Sequence, residues 1–100
     1  MKFSIVFTDE AEKDTVLALD WYNEQKAGLG KLFLNCLNET IDRIISFPTA
    51  YKKIYKQVRQ ACLKRFPYVI LNTIDGSLIT VYCIFHTRQN PGKKIKRLRK

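Results

Sequence analysis

The chain has 100 residues, which is the length of a single small domain. Hydrophobic residues make up 46% of it and aromatic residues 12%, which excludes a disordered chain, and no apolar run of about 18 residues is present that would span a membrane. Its 18 Lys and Arg residues outnumber 9 Asp and Glu residues, for a formal net charge of +9. The first apolar stretch is too short for a signal peptide, so we expect a cytoplasmic protein with no membrane partner.

The first half of the chain predicts one short strand followed by two helices. Residues 3–7 are aromatic and β-branched, which is typical of a strand. Thr8 is a suitable N-cap for a helix over 9–26, whose first turn is acidic and whose apolar stripe is interrupted by Asp14. Two glycines end this helix, and a second amphipathic helix is predicted over 31–47. The short connection requires the two helices to form an antiparallel hairpin.

The second half changes to a strand pattern. Strands are predicted over 58–66, 68–74 and 78–85, where Val, Ile, Leu, Tyr and Phe are abundant. Asp75 and Gly76 form a strong hairpin signal between the last two. The resulting order is β-α-α-β-β-β, an α+β fold with an antiparallel-dominated sheet and the helical hairpin on one face.

The domain is expected to cover residues 1–91 and to be followed by a basic tail over 92–100. Six of the nine tail residues are Lys or Arg, so the tail is expected not to pack unless a partner orders it. Residues 51–57 fit either a loop or a strand. The three cysteines (Cys36, Cys62 and Cys83) are widely spaced and have apolar neighbours, which predicts reduced core residues rather than disulfides or a zinc site.

Positive charge is concentrated in the second half. Residues 51–100 hold thirteen Lys or Arg residues and one acid, Asp75, whereas residues 1–50 hold five against eight. This asymmetry favours nucleic acid or an acidic protein surface as the partner, with a merely solvated basic face as the alternative. The residues expected to bind such a target are Lys52, Lys53, Lys56, Lys64, Arg65, Lys93 and Lys94.

A few side chains are candidates for chemistry or for docking. His86, the only histidine, follows the last strand and is either a general base or a structural residue. Arg59 is placed either to bind a phosphate or to pair with an acid on a helix. Trp21 and Tyr22 either pack the hairpin or form a docking surface. Phosphate-loop, nucleophile-elbow and zinc-protease motifs do not occur, so no cofactor or metal is expected.

The order and spacing of motifs along nearly the whole chain resemble the RelE/ParE toxins of type II toxin–antitoxin modules, which are also described as plasmid stabilisation proteins. The residues that carry the resemblance are Ala11, Asp14, Trp21, Tyr22, Gly28, Leu29, Gly30, Phe33, Ile41, Ile44, Pro48, Val58, Arg59, Leu63, Phe66, Pro67, Tyr68 and residues 85–91. The long hairpin is closer to the ParE branch, and Tyr68 stands where the ribonuclease branch places an arginine.

The resemblance implies a growth-inhibiting bacterial toxin with the RelE/ParE-like fold, neutralised by a cognate antitoxin. ParE-like members poison DNA gyrase by contact, and this is the activity we expect. The alternative is a RelE-like enzyme that cuts mRNA on the ribosome, with His86 as base or acid and with Arg59 and Arg88 stabilising the developing charge. Trp21, Tyr22 and Phe33 are the expected anchors for the antitoxin.

Overall fold

The computed structural model describes residues 2–88, which form two helices and a five-stranded sheet. In chain order the elements are β1 (Ser4–Phe7), α1 (Asp9–Gln25), α2 (Leu29–Ser46), a short 3-10 helix (Pro48–Ala50), β2 (Lys52–Tyr55), β3 (Val58–Cys62), β4 (Tyr68–Asp75) and β5 (Leu78–His86). Within these residues no helix combines the length and the apolar character needed to cross a membrane. The predicted tail over 92–100 lies outside the described residues.

The predicted α+β class is confirmed, and the sheet has one strand more than the sequence indicated. The strand order is β1-β5-β4-β3-β2, with every neighbouring pair antiparallel except the parallel pair of β1 and β5. The extra strand is β2, within the segment 51–57 that fitted either a loop or a strand. Its exposed lysines are typical of an edge strand that is protected from pairing with other chains. The next strand, predicted over 58–66, ends at Cys62.

Each helix begins with a polar contact at its N-terminus. The Thr8 side chain accepts a hydrogen bond from the Ala11 amide at 3.2 Å, as expected for an N-cap. Helix α2 begins two residues earlier than predicted, at Leu29, because Gly28 takes a left-handed φ of 86° and turns the chain. Across the hairpin, the Asn23 side chain accepts a hydrogen bond from the Gly30 amide at 3.0 Å. The end of α1 therefore caps the start of α2.

Replacing Gly30 with alanine is expected to destabilise the protein, although alanine favours helix formation by about 1 kcal/mol over glycine. A Cβ at this position would come within 2.3 Å of the Asn23 side-chain oxygen, so the capping amide would be displaced. Loss of a helix cap costs up to about 2 kcal/mol, so we expect a net loss of up to about 1 kcal/mol in the free energy of unfolding, measured by urea denaturation. The double variant N23A/G30A should lose less than the sum of the two single variants, and strict additivity would contradict this account.

The sheet separates two apolar clusters. The first lies between the sheet and both helices and includes Phe33, Ile44, Ile70 and Ile79. The second lies on the opposite face and consists of the strand residues Val58, Val69, Leu71, Cys83 and Phe85, with Tyr55 and Tyr82 partly buried against them. Cys36 and Cys83 are buried as predicted, whereas Cys62 is exposed because it is the last residue of β3.

A β-bulge at Tyr82 changes the side of the sheet that the later residues of β5 face. Leu71 pairs with Cys83 and Asn72 pairs with Val81, so Tyr82 is the extra residue. In a regular strand, Val81 and Ile84 would face opposite sides because an odd number of positions separates them. The bulge restores them to one side, and both contribute to the cluster beneath the helices.

Candidate functional site

A cleft of about 230 Å³ opens between α1 and the end of the sheet. Helix α1 lines it with residues spaced three or four apart, which share one helix face. The start of β4 and the end of β5 supply the other wall. The lining residues are Asp14, Leu17, Ala18, Trp21, Tyr68, Ile84 and His86.

Asp14 joins α1 to the sheet at the floor of the cleft. Its Oδ2 atom accepts a hydrogen bond from the Ile84 backbone amide at 3.0 Å. Strand β1 pairs with β5 only as far as Val81. Beyond that point the Asp14 side chain of α1, rather than a neighbouring strand, accepts the hydrogen bond of the β5 amide. The Thr8 hydroxyl acts in the same way and donates to the Tyr82 carbonyl at 3.3 Å. In the sequence, the only sign of the contact between Asp14 and Ile84 was the position of Asp14 within the apolar stripe of α1.

An aromatic cluster lies behind the wall of the cleft, and Tyr68 is the member of it that lines the cleft. Tyr22 stacks on Phe33 with ring centroids 5.3 Å apart, and Tyr68 meets Phe33 edge-on at 5.1 Å. The Tyr22 and Tyr68 hydroxyls are hydrogen-bonded to each other. Burial raises the pKa of both phenols, and for Tyr68 the negative charges of an ionised Tyr22 and of Asp14 raise the pKa further. Both hydroxyls are therefore neutral, hydrogen-bonding groups at physiological pH.

The outer wall of the cleft is apolar and exposed. Leu17 is 69% exposed and Trp21 is 54% exposed, while the Trp21 ring rests edge-on against Tyr22 at 5.0 Å. Of the three residues expected to anchor the antitoxin, Trp21 alone presents a large surface. Tyr22 is 8% exposed and Phe33 is fully buried, because both point from their helices into the aromatic core. In this structure the two residues offer little surface to a partner, and their assignment as antitoxin anchors stays a prediction.

His86 lies at the rim of the cleft in a fixed orientation. Its ring meets Tyr68 edge-on at 5.3 Å, and its Nδ1 atom accepts a hydrogen bond from the Arg88 backbone amide at 3.1 Å. Because Nδ1 accepts, the neutral ring carries its proton on Nε2. The Arg88 side chain is exposed.

Arg59 is a structural tie at the other end of the sheet. Its guanidinium donates to the carbonyl oxygens of Tyr51 at 2.6 Å and of Thr49 at 3.2 Å, so it holds the 3-10 helix against β3. The partners are backbone carbonyls rather than the helix acid considered from the sequence. In the sheet, Arg59 pairs with Asn72 and His86 pairs with Tyr68. Asn72 and Tyr68 are four positions apart along β4, which corresponds to roughly 13 Å. The structure therefore does not bring Arg59 and His86 together.

The basic residues predicted to meet an anionic target are exposed, but they occupy two places: the edge strand β2 and the turn after β3, where Lys64 and Arg65 line a pocket with Glu39 of α2. Lys52, Lys53 and Lys56 lie on or next to the edge strand β2, and Lys64 and Arg65 follow β3. Helix α1, with its acidic residues, contacts β5 and β1 at the opposite side of the sheet. The lysines of β2 and the turn after it are thus separated from the acids of α1, whereas Lys64 and Arg65 lie beside an acid of α2. Lys93 and Lys94, assigned to the same target, lie outside the described residues.

Taken together, these features define a small α+β protein with a helical hairpin on an antiparallel sheet, an aromatic cleft and a separate cationic edge. Residues 2–88 contain no group of three or more His, Cys, Asp or Glu side chains arranged to hold a metal ion.

Comparison with known proteins identifies the family. Residues 5–91 match the family model of the ParE toxin of the type II toxin–antitoxin system parDE. The chain therefore belongs to the ParE toxin family, which confirms the expected branch of the RelE/ParE toxins. A solved chain described as the chromosomal ParDE TA system from P. aeruginosa has a similar fold, with a TM-score of 0.65 and 16% identity over 85% of this chain and 96% of that one. A comparison with curated protein sequences gives no significant match.

Proposed function

We propose that this ParE-family toxin inhibits growth by binding DNA gyrase through non-covalent contact, and that a cognate antitoxin neutralises it. The observation that carries the proposal is the separation of Arg59 from His86, two of the three residues assigned to a ribonuclease site. Arg59 is held by two backbone carbonyls, roughly 13 Å along β4 from the position paired with His86. A phosphoryl-transfer site requires its acid–base and charge-stabilising groups to meet at one reacting phosphate.

The cationic edge is the surface proposed to meet gyrase. Exposed lysines on β2 and in the turn after it form a positive region with no acid among residues 51–74. Clustered positive charge accelerates encounter with an acidic surface or with the DNA that gyrase holds. The charges are presented by an edge strand, so a partner can approach them without disturbing the core.

The α1 cleft is the surface proposed to meet the antitoxin. It combines exposed apolar groups (Leu17 and Trp21) with polar groups inside a concave wall (Asp14 and Tyr68). A docked segment would bury the apolar groups and hydrogen-bond with the polar ones, as in other protein interfaces. The similar solved chain from P. aeruginosa comes from a toxin–antitoxin system, which supports an antitoxin as a partner of this chain as well.

The experiment compares two targets with the same purified protein. We expect the chain to inhibit DNA supercoiling by gyrase and to leave mRNA intact in a translating extract. The variant H86A should inhibit gyrase as well as the parent does, because His86 is remote from the cationic edge. The variant K52Q/K53Q/K56Q should inhibit about tenfold less well, because it removes the steering charge.

Two results would contradict the proposal. The first is mRNA cleavage that H86A abolishes, which would identify the ribonuclease alternative. The second is full gyrase inhibition by K52Q/K53Q/K56Q, which would place the contact elsewhere. A suitable charge control is K26Q/K31Q, because these two exposed lysines flank the turn between the helices rather than the sheet edge.

A further inference from the structure

The cleft on α1 has the size of a single long side chain. Its volume is about 230 Å³, below the roughly 300–1,000 Å³ of pockets that enclose a whole small-molecule ligand. A docked protein segment can therefore place one side chain inside the cleft while its backbone stays outside. The chemistry of the lining residues indicates which side chain is complementary.

The floor of the cleft is negatively charged. Asp14 supplies a carboxylate, and the described residues that line the cleft include no Lys or Arg. The charge of Asp14 raises the pKa of Tyr68, which shows that the carboxylate lies within electrostatic range of this phenol. A charge in a cleft with low-dielectric walls attracts an opposite charge more strongly than it would on an open surface. The cleft therefore favours a cationic side chain.

The walls of the cleft are complementary to a planar cation on a long apolar stem. Trp21 and Tyr68 are its aromatic lining residues, and aromatic rings attract cations, tryptophan most strongly. The apolar lining residues Leu17, Ala18 and Ile84 can contact the methylene groups of a stem. A guanidinium stacks on aromatic rings and donates a fork of hydrogen bonds to a carboxylate, whereas the ammonium of lysine is a strongly hydrated point charge. These walls therefore favour arginine over lysine.

We propose that the cleft binds an arginine side chain of the antitoxin, with its guanidinium against Asp14 and Trp21. This inference rests on the proposed function, in which the antitoxin occupies the cleft. Asp14 can hold the sheet and the guanidinium together, because a carboxylate has about four acceptor positions and the Ile84 amide takes one of them.

The inference gives the antitoxin a specific charge requirement. The cationic edge of the toxin attracts acids, whereas α1 has an acidic first turn and carries the cleft. An antitoxin segment that docks on α1 therefore needs a basic residue at the position that enters the cleft, even if the rest of the antitoxin is acidic. A neutral or acidic residue at that position would leave Asp14 facing an uncompensated interface.

The first test compares N-acetyl-arginine amide with N-acetyl-citrulline amide, in which a neutral urea group replaces the guanidinium. Trp21 is the only tryptophan of the chain, so its fluorescence reports binding at the cleft. At constant ionic strength, we expect the arginine compound to bind at least about fivefold more tightly. D14N should remove this preference, because the asparagine oxygen still accepts from the Ile84 amide but carries no charge. The control D42N, which removes a carboxylate from an exposed position on α2, should retain it.

The second test uses the complex of the full-length toxin with its cognate antitoxin. Each arginine of the antitoxin is replaced with glutamine, and the affinity is measured for the parent toxin and for D14N. We expect one arginine whose replacement weakens binding to the parent at least about tenfold and binding to D14N clearly less, because its partner there has already lost its charge.

Three results would overturn the inference: equal binding of the two compounds to the parent, a preference for arginine that D14N retains, and no antitoxin arginine coupled to Asp14. The proposed function survives these results if the antitoxin still neutralises the toxin, whereas an antitoxin that does not bind at all would refute both. If D14N does not fold, the parent decides by NMR. Contacts between the arginine compound and the Trp21 indole protons are then expected, and their absence refutes the inference.

Discussion

Replacing Trp21 with alanine is expected to weaken binding of the cognate antitoxin by about 30-fold, which corresponds to about 2 kcal/mol. Trp21 is 54% exposed at the rim of the cleft, and tryptophan is the side chain most often found at the energetic centre of protein interfaces. Its indole contacts Tyr22 at 5.0 Å and is not part of the buried core. The free energy of unfolding should therefore change by no more than about 1 kcal/mol. Calorimetric titration measures the affinity, and urea denaturation measures the stability.

Phe47 offers a matched control for this prediction. It is an aromatic residue that is 67% exposed, and it follows the last residue of α2. Trp21 lies near the other end of the hairpin, and an 18-residue helix such as α2 is about 27 Å long. F47A should bind the antitoxin like the parent. Equal losses for W21A and F47A, or no loss for W21A, would show that the cleft is not the antitoxin surface.

Replacing Phe33 with alanine is expected to lower the free energy of unfolding by about 3–5 kcal/mol. The ring is fully buried and contacts Tyr22, Phe66 and Tyr68 at centroid distances of 5.1–5.3 Å. Its loss leaves a cavity at the junction of both helices and the sheet. Since small domains are stable by only about 5–15 kcal/mol, a large part of the protein should be unfolded at modest urea concentrations.

Two further variants make the stability prediction specific. F33L keeps most of the apolar volume and should lose clearly less than F33A. L32A changes the preceding residue of α2, which is 48% exposed, and should lose no more than about 1 kcal/mol. Equal stability of F33A and L32A would show that the aromatic cluster does not support the cleft.

Much of the fold is readable from local sequence signals. The N-cap Thr8, the Asp75–Gly76 turn and the apolar period of α2 each act over a few residues, and the structure contains the elements that they predict. Strand β2 is the exception. Its Lys-Lys-Ile-Tyr sequence has little apolar alternation, because an edge strand is stabilised mainly by its pairing with β3. That pairing depends on the rest of the sheet.

The candidate site was less predictable, because its contacts join residues distant in sequence. Asp14 and Ile84 are 70 positions apart, and the sequence shows only an acid in an apolar stripe. Trp21 and Tyr22 are adjacent and chemically similar, yet one is exposed and the other is buried, because neighbouring residues on a helix point about 100° apart. Phe33 is likewise buried, because the sheet packs against the face of α2 that carries it, and its position in the sequence does not show this.

The amino-acid sequence by itself determined the secondary structure of most of the chain, its α+β class, its toxin family resemblance and the division of charge between its halves. These properties follow from composition and short-range spacing. Tertiary structure alone decided that β1 pairs in parallel with β5, that Arg59 binds backbone carbonyls, and that Trp21 presents its ring at a cleft while Phe33 supports that cleft from within. The physical reason is that burial and long-range hydrogen bonding depend on which surfaces meet, and that is set only when helices and sheet pack together.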